Sequence, residues 1–407
     1  MEQWKRTFWA VWVAEFIAIA GFATTTPIIA YYLASLGLGD EAALKFWTGA
    51  AHTGASLAMA IFAPIWGGLA DRVGRKPMLM RAMFGGSLLI GLLSLTTEPW
   101  QVALLRTVQG SVTGTVAAAN VFTASLVPEK ETGYRLGLMQ MAVYLGNSLG
   151  PIIGSSLAVH TGYRGNFLVT SGLLMAAGLV IIVFAKEEFA PKPSTGSLVS
   201  RILPDFSPLV RTPALLPLLA VVFLFQFANS VVAPMLPLYI RSVVATEAQA
   251  TMMSGTIITT TGVAGALGAV LIGRISIRAG SARTLILSMA GAFLFYLPQG
   301  FVRSPWILLA LRFGSGLCLG GTMPNVNALI ARLCERGKQG ATYGLSASIS
   351  SAGMALGPAL GTVMALGAGY SSIFFITTAI LGGVGIMVAI NTKAGRLAGP
   401  ERSVERA

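Results

Sequence analysis

Apolar residues in this chain come in long runs separated by short polar breaks, and they do not alternate with polar ones. Runs of about 20 residues are long enough to cross the hydrocarbon core of a bilayer as helices. Hydropathy predicts about twelve spans, at 8–33, 45–69, 78–97, 100–125, 134–159, 163–185, 213–240, 249–273, 282–301, 305–331, 340–366 and 369–391. Helix is the form expected, because lipid cannot satisfy free backbone groups and the alternating pattern of a membrane barrel is absent. Lys5 and Arg6 precede the first span without a small-residue cleavage site. That span is expected to be a retained helix rather than a signal peptide.

Composition sharpens this picture. Hydrophobic residues make up 54% of the chain and charged residues 11%, against roughly 25% charged in a soluble domain. A large soluble core is therefore excluded. The formal net charge of +13 would suit a nucleic-acid partner, but its distribution argues otherwise. With the N-terminus inside, Lys45, Arg164, Arg241 and Arg303 fall on the outer side and Arg106 and Arg312 within spans. All other Lys and Arg lie in or beside cytoplasmic segments, which is the positive-inside bias. Both termini and a linker at 186–212 are thus expected in the cytoplasm, with no nucleic-acid partner. Cys318 in a span and Cys334 in a loop predict neither a structural disulfide nor a metal site.

The linker is rich in Pro, Ser and Lys, and it divides the chain into an N-terminal bundle (1–185) and a C-terminal bundle (213–391), with a tail at 392–407. The bundles align with each other. Pro99-Trp100 matches Pro305-Trp306, Arg106 matches Arg312, Gly110 matches Gly316 and Gly114 matches Gly320. After a one-residue shift, Gly137 matches Gly344, Gly150-Pro151 matches Gly357-Pro358, and Gly154 matches Gly361; Tyr32 likewise matches Tyr239. An intramembrane Arg in register with glycines is hard to ascribe to chance. Duplicated six-helix halves point to a transporter with its site between the halves near the midplane.

Three motifs then resemble those of the major facilitator superfamily, and more closely its twelve-helix drug:proton antiporters of bacterial inner membranes. The loop after span 2 reads Gly67-x-Leu69-Ala70-Asp71-Arg72-x-Gly74-Arg75-Lys76. Asp71 stands past a helix C-terminus, where the dipole disfavours an acid, so it needs partners. The resemblance implies the N-terminus of span 11, as a latch on the outward-facing state. The bases also hold the loop inside and can meet anionic lipid headgroups; a loop serving topology alone is the other reading. The second-half counterpart has Ile277 in place of Asp71, so such a latch would be one-sided. Arg106-x-x-Gln109-Gly110 lies within span 4. An Arg there costs at least about 2.5–3.5 kcal/mol unless it faces a polar cavity or partner. The resemblance implies proton coupling for Arg106, and a structural Arg is the alternative; for Arg312 the structural reading is expected. Gly146-x-x-x-Gly150-Pro151-x-x-Gly154 in span 5 matches the antiporter signature, with Ser155 where a further Gly is common. Small residues four apart smooth a helix face and Pro favours a bend, which would suit rocking between halves.

The chain has no phosphate loop; its one Gly-Lys pair, Gly337-Lys338, is followed by Gln339. An ion gradient is therefore the expected energy source. No cofactor or metal cluster is indicated, and Gly314-x-Gly316-x-x-x-Gly320 lies inside a span as a packing pattern. Glu15 is the one acid inside a predicted span, which makes it the candidate for a proton-carrying group. It lies roughly 10 Å in from Phe8 and Arg106 roughly 10 Å in from the other surface, at 1.5 Å per residue. Across a core of about 30 Å a direct Glu15–Arg106 ion pair is not expected. His52 in span 2 is read as packed and neutral, with cavity lining as the alternative.

Amphipathic substrates suit an apolar cavity with a few polar groups. Phe22 and Thr26 share a helix face with Glu15, and Gln140 and Tyr144 are spaced i, i+4. With these, His52, Gln109, Gln226, Asn229, Asn325 and Asn327 are the candidate cavity residues. The expected fold is an all-α membrane protein of twelve helices in two pseudo-symmetric bundles. The expected function is proton-coupled antiport of amphipathic small molecules, with cations among the candidates, by a monomer. A carrier for sugars or metabolites is the alternative, and a membrane enzyme or receptor would need a catalytic constellation that is not found.

Overall fold

The computed structural model describes residues 2–187, 215–333 and 339–393, and every regular element among them is helical. In the N-terminal half these are α1 (Gln3–Thr25), α2 (Ile28–Ser35), α3 (Glu41–Val73), α4 (Arg75–Leu93), α5 (Pro99–Val112), α6 (Thr115–Leu126) and α7 (Glu129–Phe184). In the C-terminal half they are α8 (Leu215–Val232), α9 (Leu236–Val243), α10 (Glu247–Ala279), α11 (Ser281–Tyr296), α12 (Pro305–Gly320), α13 (Thr322–Leu333), α14 (Gln339–Ala368) and α15 (Ser372–Lys393). The linker and the tail fall almost wholly outside the described residues.

Nine described stretches are long and apolar enough to cross a membrane. One of them, Leu138–Phe184, has 47 residues, or about 70 Å of helix, more than twice a hydrocarbon core of about 30 Å. It is two passes, turned at Gly162, where φ is +72°. With α3 and the broken pair α5–α6, which pack as full members of the bundle, the described residues make twelve passes. Several passes are broken rather than continuous. Pro27 parts α1 from α2, and Pro237 sits in the first turn of α9, where its missing N–H costs nothing. Large apolar side chains such as Leu95 (72% exposed), Phe301 (73%) and Trp306 (67%) face outward. That outer belt is what a lipid-facing surface requires. Trp100 and Trp306, matched in the repeat, stand just inside the starts of α5 and α12.

The repeat has a packing reason. Gly110, Gly150 and Gly154 and their counterparts Gly316, Gly357 and Gly361 are places where two helices touch backbone to backbone, whereas Gly114 has open space around it. A Cβ on Gly110 would sit 2.0 Å from the Ala55 carbonyl oxygen, and one on Gly316 would sit 2.5 Å from that of Thr261. The same holds for Gly154 against Thr24 and Gly361 against Val231. Small residues let bare helices approach and gain dispersion contact, which is the main attraction available in lipid. Matched tyrosines act alike too: the Tyr32 hydroxyl bonds the Leu93 and Thr96 carbonyls, and that of Tyr239 bonds those of Gln299 and Val302.

The halves meet mainly along α3 with α14 and α7 with α10. The side chains that join them lie toward the end remote from the termini. Tyr31 is fully buried there, its hydroxyl 2.8 Å from the Pro237 carbonyl, 3.0 Å from that of Ala250 and 2.6 Å from Ser254 Oγ. Tyr163 donates to Glu247 at 3.0 Å, and Lys45 Nζ stands 4.3 Å from the centre of the Tyr370 ring. Gly49 has no room for a side chain against Thr362. At the terminus-bearing end, Met141, Tyr144 and Leu145 of α7 and Val270, Leu271 and Ile275 of α10 are exposed instead. Among the described residues, the side chains that join the halves thus lie at one end, and the facing stretches of α7 and α10 at the other end are exposed.

Candidate functional site: a cavity between the halves and a buried carboxylate

A cavity of about 610 Å³ lies between the halves, well within the size of small-molecule sites. Thr26, Tyr144, Asn147 and Ser148 line it from the N-terminal half. Gln226, Asn229, Thr261, Tyr296 and Arg312 supply polar groups from the other half, and Phe225, Leu236, Ile258 and Met323 are among its apolar walls. Asn147 and Asn229 each spend their amide N–H on a carbonyl of their own helix, Val143 and Phe225.

Of the sequence candidates, Thr26, Tyr144, Gln226 and Asn229 reach this cavity, and the others do not. Glu15 and Phe22 share a stripe of α1, as expected, but that stripe faces the interior of the N-terminal bundle. Phe22 abuts Gly86 of α4, while Glu15 meets α6. Thr26, at the end of α1 and one residue before Pro27, does reach the cavity, although its backbone stays helical. Gln109 is buried as the acceptor of Arg106, and His52 Nδ1 is 2.9 Å from the Thr48 carbonyl one turn back. Gln140 is exposed but stands apart from the cavity. Asn325 is 1% exposed and bonds the Gly321 carbonyl of its own helix turn; Asn327 also lies off the lining. Asn147 follows Tyr144 by three residues, so the same helix stripe would have found it.

Arg312 is the larger surprise. Expected as structural, it lines the cavity and carries the only charge among the described lining residues. Its Nη1 donates to the Tyr296 hydroxyl at 2.9 Å, and its guanidinium lies 5.4 Å from the Tyr296 ring centre and 5.9 Å from that of Phe374. Its twin Arg106 lies off the cavity and donates to Gln109 Oε1 at 2.8 Å. The two arginines share a register position and hold different partners.

Glu15 is 0% exposed. Its Oε1 accepts from the Thr115 hydroxyl at 3.0 Å and, among the described residues, its Oε2 has no partner. Thr115 is there because span 4 breaks. α5 ends at Val112, Thr113 is extended, and Gly114 takes φ +123°, a conformation costly for any residue with a Cβ. Thr115 is then the first residue of α6, so the carboxylate meets the positive end of a helix. No ion pair joins Glu15 to Arg106; among the described residues the ion pairs are Glu2–Lys5 and Glu41–Lys45. The Thr113-Gly114-Thr115 sequence was the signal for this break, and hydropathy smoothed over it.

The basic loop is tied within its own half. Gly74, at φ +106°, caps α4 and lets the Glu187 carboxylate approach. Glu187 accepts from the Arg75 and Lys76 backbone N–H groups, both at 2.8 Å. Lys76 Nζ returns to the Ile182 and Ala185 carbonyls at 3.1 and 2.7 Å, capping the end of α7. The side chains of Asp71 and Arg72, and the surroundings of Gly67, lie outside the described residues, as does the start of α14.

The span 5 motif does not face the opposite half with its glycines. Gly146, Gly150 and Gly154 pack on Ile19, Ala20, Ala23 and Thr24 of α1. What faces the other half is the helix turn at Pro151. Its carbonyl and Ser155 press on Gly255 of α10, and the Ile152 N–H donates to Thr259 Oγ1 at 3.2 Å. Ser155 in place of a common Gly is accommodated because Gly255 stands opposite.

A family model described as Major Facilitator Superfamily matches residues 11–297 and again 218–405. The multidrug resistance protein MdtG of Serratia proteamaculans (strain 568) is 31% identical over 378 residues, covering 93% of this chain and 92% of that protein. Its counterpart in Enterobacter lignolyticus (strain SCF1) is 30% identical over 405 residues, covering 99% and 96%. Among solved structures, the inward-facing, unoccupied form of a bacterial homolog to the human lysosomal transporter Spinster gives a TM-score of 0.74 at 14% identity, covering 97% of this chain and 98% of that one. The nucleoside transporter NupG gives 0.77 at 11% identity, covering 94% and 99%.

Proposed function

Because the chain belongs to the Major Facilitator Superfamily, we propose that it exports amphipathic small molecules across a bacterial inner membrane in exchange for protons, by alternating access. It is a secondary transporter and not an enzyme. The observation that carries the reading is the cavity between the halves, closed by side chains at one end and, among the described residues, without such contacts at the other. With the termini in the cytoplasm, as the charge distribution argues, this is the inward-facing state, ready to load substrate from inside. Both halves line the cavity, so one chain is a complete transport unit. The exposed apolar belt contacts lipid.

Glu15 is the proton-coupling group in this proposal. An ionised carboxylate buried without a cation costs several kcal/mol, and the protonated acid avoids that cost. The closed environment around Glu15 therefore suits the proton-loaded form, and opening that environment to water would release the proton. Arg106 and Gln109 form a second buried polar pair in the same half and influence this exchange through charge rather than contact. Asp71 is proposed as the latch of the opposite, outward-facing state, with Arg72, Arg75 and Lys76 holding its loop at the cytoplasmic surface.

The test is Glu15→Gln. The amide oxygen can still accept from Thr115, so the fold is expected to persist. Export driven by a pH gradient should be lost in proteoliposomes, while downhill substrate flux continues. Equal gradient-driven export by a well-folded Gln variant would remove Glu15 from the coupling step.

A further inference from the structure

The cavity offers a cation with no counter-charge. Arg312 is only 6% exposed, and no Asp or Glu lines the cavity among the described residues. Its Nε is buried and has no partner among the described residues. Nη1 is engaged by the Tyr296 hydroxyl oxygen, which leaves that hydroxyl's own hydrogen free to donate. The guanidinium and the phenol thus form a cluster of donors at one side of an otherwise apolar and amide-lined space. A buried cation without an anion is costly, and a bound anion recovers part of that cost. Arginine's planar fork also matches carboxylate and phosphate geometry, and charge-assisted bonds of this kind are the strong ones.

Glu15 cannot serve as a counter-charge for a cationic substrate here. It is fully buried, bonded to Thr115, and absent from the cavity wall. A cation entering this cavity would meet Arg312 and no acid.

The geometry points to an amphipathic anion as the substrate class: a compound with an apolar body against Phe225, Leu236 and Met323 and a carboxylate or similar oxyanion head held by Arg312 and Tyr296. This rests on the cavity being the substrate site, as proposed above.

The experiment uses the purified full chain and three probes with one ring system: 2-naphthoate, 2-naphthylmethanol and 2-naphthylmethylammonium. Affinities are measured by calorimetric titration. The wild type is expected to bind the carboxylate tightest and the ammonium weakest, with the carboxylate about tenfold or more ahead of the alcohol. Tyr296→Phe should weaken the carboxylate several-fold, and by more than it weakens the alcohol. Arg312→Gln should erase the order. Equal affinities, or a preference for the ammonium, in the wild type would overturn the inference without any variant. So would a carboxylate preference that survives in Arg312→Gln. Export of the uncharged alcohol from proteoliposomes is followed in parallel. If the alcohol is pumped but binding shows no charge preference, the anion inference falls and the transporter reading stands. If the carboxylate is preferred but nothing is pumped, the transport reading is what fails.

Discussion

Tyr31→Phe isolates the seal at the closed end. The hydroxyl touches three acceptors in the opposite half: the Pro237 carbonyl, the Ala250 carbonyl and Ser254 Oγ. A phenol has one hydrogen, so it donates to one of these and accepts from the serine; two bonds are at stake. Each buried neutral hydrogen bond contributes about 0.5–1.5 kcal/mol net. Ser254 can turn to the Ala250 carbonyl, four residues back on its own helix, and recover part of the loss. We expect the sealed state to lose about 1–2 kcal/mol, a factor of about 5–30 in the balance between open and closed. In the opened state the hydroxyl meets water, so Tyr and Phe differ little there and the whole effect falls on one side of the equilibrium. The assay is a spin-label distance between Gly39→Cys and Ala245→Cys, both exposed positions near the seal, in a chain with Cys318 and Cys334 replaced by Ser. Tyr31→Phe should enlarge the long-distance population. An unchanged distance distribution in a well-folded Phe variant would show that the knot is not what holds this end shut.

Gly150→Leu, aimed at the span 5 motif, is expected to lower expression and melting temperature rather than to arrest alternation. Even a Cβ there would sit 2.5 Å from the Ala20 carbonyl oxygen and the Ala23 Cβ, and overpacking of this kind costs at least about 1–3 kcal/mol. A stable Leu variant that binds substrate but cannot alternate would restore the hinge reading. Glu187→Ala should reduce thermal stability by about 1–2 kcal/mol, because two N-terminal donors of α4 lose their acceptor. An unchanged melting temperature would show that water replaces the carboxylate there without loss.

Packing was legible in the sequence, and the relation between the halves was not. Gly110, Gly150 and Gly154 with their second-half twins are read from spacing because backbone contact leaves no choice of residue, and a duplicated fold needs the same gap twice. Glu15 stood out because a carboxylate in a span has few structural excuses. The cavity was harder. Whether a polar residue faces the cavity or its own bundle depends on how each helix is placed and on breaks such as the one at Gly114, which brings Thr115 to Glu15. Helical periodicity runs straight through that break. Arg312 and Arg106 look alike in sequence, and only their neighbours, Tyr296 in one half and Gln109 in the other, separate them. Glu187 was passed over because it sits among charges at the edge of the linker, where a solvated residue is the ordinary expectation.

The divergence of the two arginines has a consequence for energetics. The N-terminal half keeps the buried carboxylate, and the C-terminal half presents the cation to the cavity. One half would carry the proton and the other would hold the substrate's charged head. With Glu15 the sole acid inside a predicted span, one proton per cycle is expected. If an anion leaves as that proton enters, two positive-charge equivalents move inward. An inside-negative potential of 100 mV then adds about 4.6 kcal/mol per cycle, at about 2.3 kcal/mol per charge. A monovalent cation exchanged for one proton would move no net charge, and a neutral compound would move one. We therefore expect steady-state gradients in proteoliposomes to respond to a valinomycin-imposed potassium potential in the order 2-naphthoate, then 2-naphthylmethanol, then 2-naphthylmethylammonium. Naphthoate gradients that ignore the potential would refute the pairing of one proton with one anion, even if Arg312 proved to bind the carboxylate.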